Sequence, residues 1–394
     1  MEKCCTIGVN EARILRALWI HRSMSRIELA RYLGIDKSTV TKLTATLLET
    51  GIIHLTEEGI SSPQGGRRPV YLAINPGFGA VLGIELQTDF YVAVAVDFSG
   101  TIVFQTREPL DVGTESVPQL CLRIYKGIQA RLEARGARLV GAVLGVSGLV
   151  NPSEGIIYQS NPLGIHEEQH LYDEFDALFD VPVILDNDAN CGAWGEIAYK
   201  KELINSDDLV FILGETRANK AQAAGYTGIA IGTSIVLGQQ VHYGTRYAAG
   251  EFQSLFRSGE YMNQFSITDA EAAVYEHDRE VFSRVAHELA RNISLLVNML
   301  NLNQVVLGGR MEFHPEILSV MKEAIQENWS YDTEVDVTVR FSKLQELTIA
   351  YGATGMFLET FFGLPDVQFS HSPVDRQALR RRVSRETPFL LDYV

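Results

Sequence analysis

Three short helical patterns and two strand patterns open the chain, and buried strands then alternate with helices over residues 77–365. Together they predict an α/β protein whose body has two lobes with a cleft between them, preceded by a winged helix-turn-helix. Length agrees, since 394 residues exceed what one hydrophobic core holds. Charge agrees as well. Residues 1–74 hold 10 Lys and Arg against 7 Asp and Glu, while the remainder hold 24 against 42. A mildly basic head on an acidic body fits a nucleic-acid reader on a soluble carrier. No apolar run approaches the ~20 residues of a membrane span, and the N-terminal Met-Glu-Lys-Cys-Cys reads as neither signal nor transit peptide. Cys4, Cys5, Cys121 and Cys191 have no metal or disulfide spacing, which predicts reduced thiols and a cytoplasmic protein.

The head comes first in the chain. From Val9 to His21, Ile14, Leu15, Leu18 and Trp19 fall on one helical face. Ser25 and Glu28 form a capping box for a second helix, which Gly34 ends. Asp36 caps a third, running from Lys37 to about Thr50 and stopped by Gly51. Val40, Leu43 and Leu47 form its inner face; Lys37, Ser38, Thr39, Thr41 and Lys42 form its outer N-terminal face. Small hydroxyls and lysines reach phosphates and base edges without bulk, as a recognition helix requires. A three-helix packing module without DNA would show the same helices. The two strands that follow, 52–55 and 70–74, enclose a wing tip carrying Gly65, Gly66, Arg67 and Arg68. Glycine lets backbone approach a duplex, and arginine suits a narrow minor groove.

The body reads as a hairpin (81–86 and 91–97), a third strand (101–106), a helix (117–135) and a buried strand (139–146) ending at Ser147-Gly148. A loop at Asn161-Pro162 precedes the strand 181–185, which ends on Asp186, Asn187 and Asp188. Carboxylates at the C-terminal edge of a parallel strand sit where α/β proteins bind ligands. Asn187 and Asp188 can hold polyol hydroxyls; they would serve equally as an N-cap for the following helix, and the segment alone leaves both readings open. The second lobe starts at Leu209, with a glycine-punctuated strand pair at 228–237, Ala248-Ala-Gly-Glu251, a long helix from about Thr268 to Leu302, and a strand ending at Gly308-Gly309. Beyond 365, the basic stretch Arg376 to Arg385 reads as a short helix on a solvated terminal segment, with an oligomer or DNA contact as the alternative.

The wing Gly65-Gly-Arg-Arg-Pro69, Asp186-Asn-Asp-Ala-Asn190, Ala249-Gly-Glu251 and Val306-Leu-Gly-Gly309 together resemble the ROK family (repressors, open reading frames and sugar kinases), in its repressor branch of xylose-repressor type. The resemblance spans residues 9–362. It implies an actin/hexokinase-like pair of lobes, a sugar in the interlobe cleft, and a homodimer or higher homo-oligomer. Its sugar-facing set maps onto Ser147, Gly148, Asn161, Asn187, Asp188 and Glu251, with Ser254 standing where the family has a histidine.

Departures from the family matter more for function. The kinases' first phosphate turn, Asp-x-Gly-Gly-Thr, reads Glu85-Leu86-Gln87-Thr88-Asp89 here, and Gly-Thr-Gly-x-Gly reads Gly228-Ile229-Ala230-Ile231-Gly232, after an insert at about 216–227. Side chains stand where backbone would have to touch phosphate. Asp89 would add ~1–4 kcal/mol of repulsion per charge pair at ~4 Å. The zinc motif is missing as well, with no Cys or His in 252–276. The sequence therefore predicts no catalytic residue, metal or cofactor, and a regulator, most simply a repressor of carbohydrate-utilisation genes, that binds operator DNA and a small sugar or glycoside. The alternatives are an ATP-dependent sugar kinase and a regulator with a vestigial cleft that answers to a protein partner. The predicted division is 1–76 for the head, 77–198 for lobe 1 with a returning helix at 350–362, 199–349 for lobe 2, and 363–394 for an extension.

Overall fold

The computed structural model describes residues 7–58, 70–110, 115–199, 208–219, 226–364 and 374–385. The head consists of α1 (Val9–His21), β1 (Ser23–Ser25), α2 (Arg26–Leu33), α3 (Lys37–Glu49), β2 (Ile53–Glu58) and β3 (Val70–Ile74). Local chemistry sets its boundaries. The Ser25 hydroxyl accepts from the Glu28 amide while the Glu28 carboxylate accepts from the Ser25 amide. Gly34 ends α2 at φ 64°, and Asp36 accepts from the Ser38 amide to start α3. Ile14, Leu15, Leu18, Trp19, Val40 and Leu47 are buried, as their spacing requires. The short β1, not foreseen, adds to β3 in a sheet of order β1-β3-β2. The wing tip residues Gly65, Gly66, Arg67 and Arg68 lie outside the described residues.

Lobe 1 contains β4 (Ala80–Leu86), β5 (Phe90–Asp97), β6 (Ile102–Pro109), α4 (Val117–Glu133), β7 (Leu139–Val146), β8 (Leu149–Asn151), β9 (Ile156–Gln159), β10 (Gln169–His170), α5 (Tyr172–Leu178) and β11 (Val183–Asn187), followed by α6 (Asp188–Tyr199). Its main sheet has the order β11-β7-β4-β5-β6, parallel on the β11/β7/β4 side. Lobe 2 contains β12 (Leu209–Asn219), β13 (Tyr226–Leu237), β14 (Gln240–Val241), α7 (Asp269–Ala272), α8 (Arg279–Leu300), β15 (Gln304–Gly309), α9 (Ile317–Glu327) and β16 (Thr338–Phe341), with sheet order β14-β13-β12-β15-β16. Then α10 (Thr348–Phe362) packs across β4 and β7, and α11 (Arg376–Arg385) follows.

Two expectations change. The long helix from Thr268 is two helices. Thr268 and Glu271 close a capping box on the short α7, and Asp278 starts α8 afresh by accepting from the Glu280 and Val281 amides. Where it is described, over residues 374–385, the tail is not a solvated segment. Leu379 and Val383 are buried, and the Arg380 Nε donates to the Phe361 carbonyl at 2.8 Å while the Arg376 Nη1 donates to the Leu364 carbonyl at 2.7 Å. The Phe361 carbonyl in the last turn of α10 and the Gly363 and Leu364 carbonyls just beyond it lack intrahelical donors, and the two guanidinium groups supply them while their stems cover apolar surface. Burial, together with the neighbouring Arg376, brings the Arg380 guanidinium down to about 10.

The insert before Gly228 is, where described, more hairpin: β12 and β13 pair from Leu209↔Val236 out to Asn219↔Tyr226. The segment Gly228–Gly232 is therefore regular strand and not a turn.

Candidate functional site

The C-terminal ends of β7 and β11, the start of α6, strand 228–233 and the loop 247–251 enclose a cavity of about 450 Å³ between the lobes. Ser147, Gly148, Asn161, Asn187, Asp188 and Glu251 all line it. Gly148 sits at φ 127°, where a Cβ would stand 2.2 Å from the Gln159 carbonyl, so this corner of the wall requires glycine. Asp188 opens α6 and is buried. Glu251 faces it from lobe 2. Burial, and secondarily the Asp188 charge, raise the Glu251 carboxyl above its ordinary range. Two acids that feel each other across an open wall leave several acceptor positions for hydroxyl donors.

Asn187 does something narrower than the sequence suggested. Its Oδ1 accepts from the Ala189 and Asn190 amides, and its Nδ2 donates to the Gly148 carbonyl at 2.9 Å. It caps α6 and ties that helix to lobe 1. Ser254 departs further. Its hydroxyl accepts from the Asn292 Nδ2 and the Phe256 amide, and it lies outside the cavity lining, because its loop turns the residue toward α8. The Asn161 Oδ1 accepts from the Gln159 Nε2 at 3.2 Å.

Four residues outside the predicted sugar-facing set organise the surroundings of this cavity: Asp186, Trp194, Tyr243 and Tyr247. Asp186 is fully buried and accepts from the Tyr243 hydroxyl at 2.6 Å, the Asn187 amide at 2.7 Å and the Asn190 Nδ2 at 3.2 Å. The Trp194 Nε1 donates to the same Tyr243 hydroxyl at 3.0 Å. Tyr247, at φ 56°, meets the Ser153 hydroxyl at 2.7 Å. Tyr243 and Tyr247 thus reach from lobe 2 onto lobe 1 on either side of the loop that leads to Glu251. Only contacts between distant segments reveal this strap, so nothing in the local pattern announced it.

Burial pushes the Asp186 carboxyl up to about 6, against the pull of Tyr243 and the other donors. In the fold it takes up a proton before the unfolded chain does, so its contribution to stability is fully present below ~4 and lost as pH rises through ~6. The shift corresponds to about 3 kcal/mol at most. Wild type should therefore gain stability relative to Asp186→Asn as pH falls from 7 to 4, read from denaturant midpoints of both proteins. A difference that does not vary with pH would remove Asp186 as the titrating group.

At the hairpin end that corresponds to the kinases' first phosphate turn, the Gln87 Nε2 donates to the Glu85 Oε1 at 2.8 Å, and both side chains are buried. The turn is filled by its own side chains. On α3, Lys37, Ser38, Thr41 and Lys42 are exposed and Thr39 half-buried. The Thr41 hydroxyl donates to the Lys37 carbonyl at 2.8 Å.

A winged helix on a two-lobed body with a polar interlobe cleft defines the class. The ROK family model matches residues 81–253 and the MarR family model residues 7–57. A candidate xylose repressor of Caldicellulosiruptor sp. strain Rt8B.4 is 25% identical over 406 residues, covering 91% of this chain and 97% of that relative. Among solved structures, a ROK family transcriptional regulator described as a homologue of an E. coli protein superposes with a TM-score of 0.68 at 18% identity, over 96% of this chain and 97% of the other. A ROK family glucokinase from Streptomyces griseus superposes at 0.51 and 17% identity, over 70% of this chain and 98% of the kinase. Residues 81–253 thus match the ROK family and residues 7–57 the MarR family, and the chain shares its fold with these ROK structures. Among the described residues, no helix is long and apolar enough to cross a membrane.

Proposed function

We propose that the protein is a transcriptional repressor whose hold on operator DNA is relieved by a small sugar or glycoside bound between the lobes. One observation carries this reading. A winged helix with an exposed cationic recognition helix is joined to a cleft that keeps Asp188 and Glu251 while both phosphate turns are filled by strand and side chains. The relative's name makes D-xylose the first sugar to test. Ligand binding shifts the DNA equilibrium only as far as the sugar prefers the state that does not bind DNA.

The same reading makes the protein no kinase. An ATP-dependent phosphoryl-transfer assay on D-xylose and D-glucose should therefore show no turnover. The protein acts in the cytoplasm, as a dimer on a two-fold operator. Its units are 1–76, 77–198 with α10, 199–349, and the extension 363–394, of which residues 374–385 pack at the α10 end.

The test is operator binding by gel shift, with and without D-xylose, on DNA from upstream of the protein's own coding region. Replacing Lys37 and Lys42 together by Ala should weaken binding about tenfold and flatten the logarithmic salt slope by about 2, one for each lost phosphate contact. Arg67→Ala with Arg68→Ala should weaken it as well. Unchanged affinity and slope in the double lysine variant would take α3 off the DNA. Thermal shift against a sugar panel separates this reading from a vestigial cleft.

A further inference from the structure

The head is not tethered loosely to the body. The Trp19 Nε1 of α1 donates to the Glu359 Oε1 of α10 at 2.6 Å, and Arg16 pairs with the other oxygen of the same carboxylate. The Trp19 ring stacks on Phe362 at 5.0 Å and meets the edge of Tyr199 at 6.4 Å. Tyr199 is the last residue of α6, whose first is Asp188. Twelve residues of α-helix span about 18 Å. One helix thus has the cleft carboxylate at one end and the head's tryptophan at the other.

The helix is held so that it moves as a unit. On lobe 2, the Ser234 hydroxyl donates to the Asn190 Oδ1 at 2.7 Å, Gly192 lies against the Phe211 ring, and Arg340 pairs with Glu196. On the other side, α6 and α10 meet backbone to backbone. A Cβ on Gly352 would stand 1.9 Å from the Cys191 carbonyl, and one on Gly355 would stand 3.1 Å from that of Trp194. No flexible side-chain layer lies between them to absorb a shift. At the far end, Tyr199 stacks on Tyr351 at 3.9 Å, shares a hydrogen bond with the Thr354 hydroxyl at 2.7 Å, and closes over Gly100, where a Cβ would meet both Tyr199 and Trp19. Close-packed contacts of this kind switch between discrete arrangements and do not deform smoothly.

We propose that α6 is the rod that carries the state of the cleft to the DNA-binding head, with Tyr199 and Glu359 as positioning residues that form its joint on Trp19. This rests on the sugar-responsive reading of the cleft. Contiguity does not establish coupling; a measured coupling factor does.

The experiment compares full-length wild type, Glu359→Gln, Tyr199→Ala and Tyr199→Phe. D-xylose affinity is measured by calorimetry, and operator affinity by anisotropy with and without saturating D-xylose. Wild type should lose operator affinity by a factor of about 5–150 on adding the sugar. Glu359→Gln and Tyr199→Ala should bind D-xylose within about twofold of wild type yet lose most of that factor, whereas Tyr199→Phe, which keeps the ring, should retain it. A wild-type release factor in both disrupting variants overturns the proposal; if Tyr199→Ala does not fold, Glu359→Gln decides alone. Should wild type bind no D-xylose, the cleft reading is what fails, and hydrogen exchange without sugar decides the joint. In that case the α1 amides should exchange about tenfold faster in Glu359→Gln than in wild type, and equal rates overturn the joint.

Discussion

Replacing Gly352 by alanine should destabilise the folded chain by about 3 kcal/mol, at the upper end of what overpacking costs. The added methyl would sit 1.9 Å from the Cys191 carbonyl oxygen and 3.1 Å from the Gly195 amide nitrogen. Both are backbone atoms of α6, so no rotamer change relieves the clash, and the two helices must separate. Separation would loosen α6 from α10 and α10 from lobe 1, where a Cβ on Gly83 would stand 1.9 Å from the Ala350 carbonyl. Gly127 is the control. It lies inside α4, and a Cβ there meets nothing within 4 Å. Gly127→Ala should leave stability unchanged or raise it by about 0.4–1 kcal/mol, through the unfolded chain. Urea denaturation of the three proteins at one pH decides between them. Equal midpoints for Gly352→Ala and wild type would mean that the two helices are not in the contact described.

The contrast between these glycines also marks what the sequence made legible. The head could be read because its signals are local: the Ser25–Glu28 box, Gly34 and Asp36 each act within four residues, and all are found in place. The two-lobed body could be read from its apolar runs. At the cleft, Asp188 and Glu251 stood out as carboxylates at element ends, and the structure brings them to one cavity. What could not be read depends on distant contacts. Asn187 looked like a ligand group because its type fits a polyol, but its atoms are taken by the first turn of α6 and by Gly148. Arg376 and Arg380 looked solvated because charge usually is, yet the bare carbonyls at and just beyond the end of α10 give them partners. No periodicity points from Trp19 to Glu359, 340 positions away.

Asp188→Ala should weaken sugar binding roughly tenfold to hundredfold, because a charged acceptor contributes ~1.5–3 kcal/mol per hydrogen bond. The structure sharpens this expectation by separating two roles that neighbouring residues could have shared. Capping of α6 falls to Asn187, whose Oδ1 takes the Ala189 and Asn190 amides. Asp188 also accepts from the Ala189 amide, at 2.8 Å, so its loss should cost the fold no more than a cap does, about 1 kcal/mol. It also lines the cavity, where it faces Glu251. Removing it should also let the Glu251 carboxyl fall back toward its ordinary range, since Asp188 is one of the two causes that raise it. The recognition helix lies in a separate sheet-and-helix unit, so operator affinity without sugar should stay at the wild-type value. The variant should then hold operator DNA at D-xylose concentrations that release wild type. Asn187→Ala gives the opposite signature, a loss of stability that precedes any selective loss of induction. Titrating D-xylose into preformed operator complexes of wild type and both variants separates these outcomes. Release of Asp188→Ala at the wild-type D-xylose concentration would make Asp188 a structural residue and move the binding site elsewhere in the cleft.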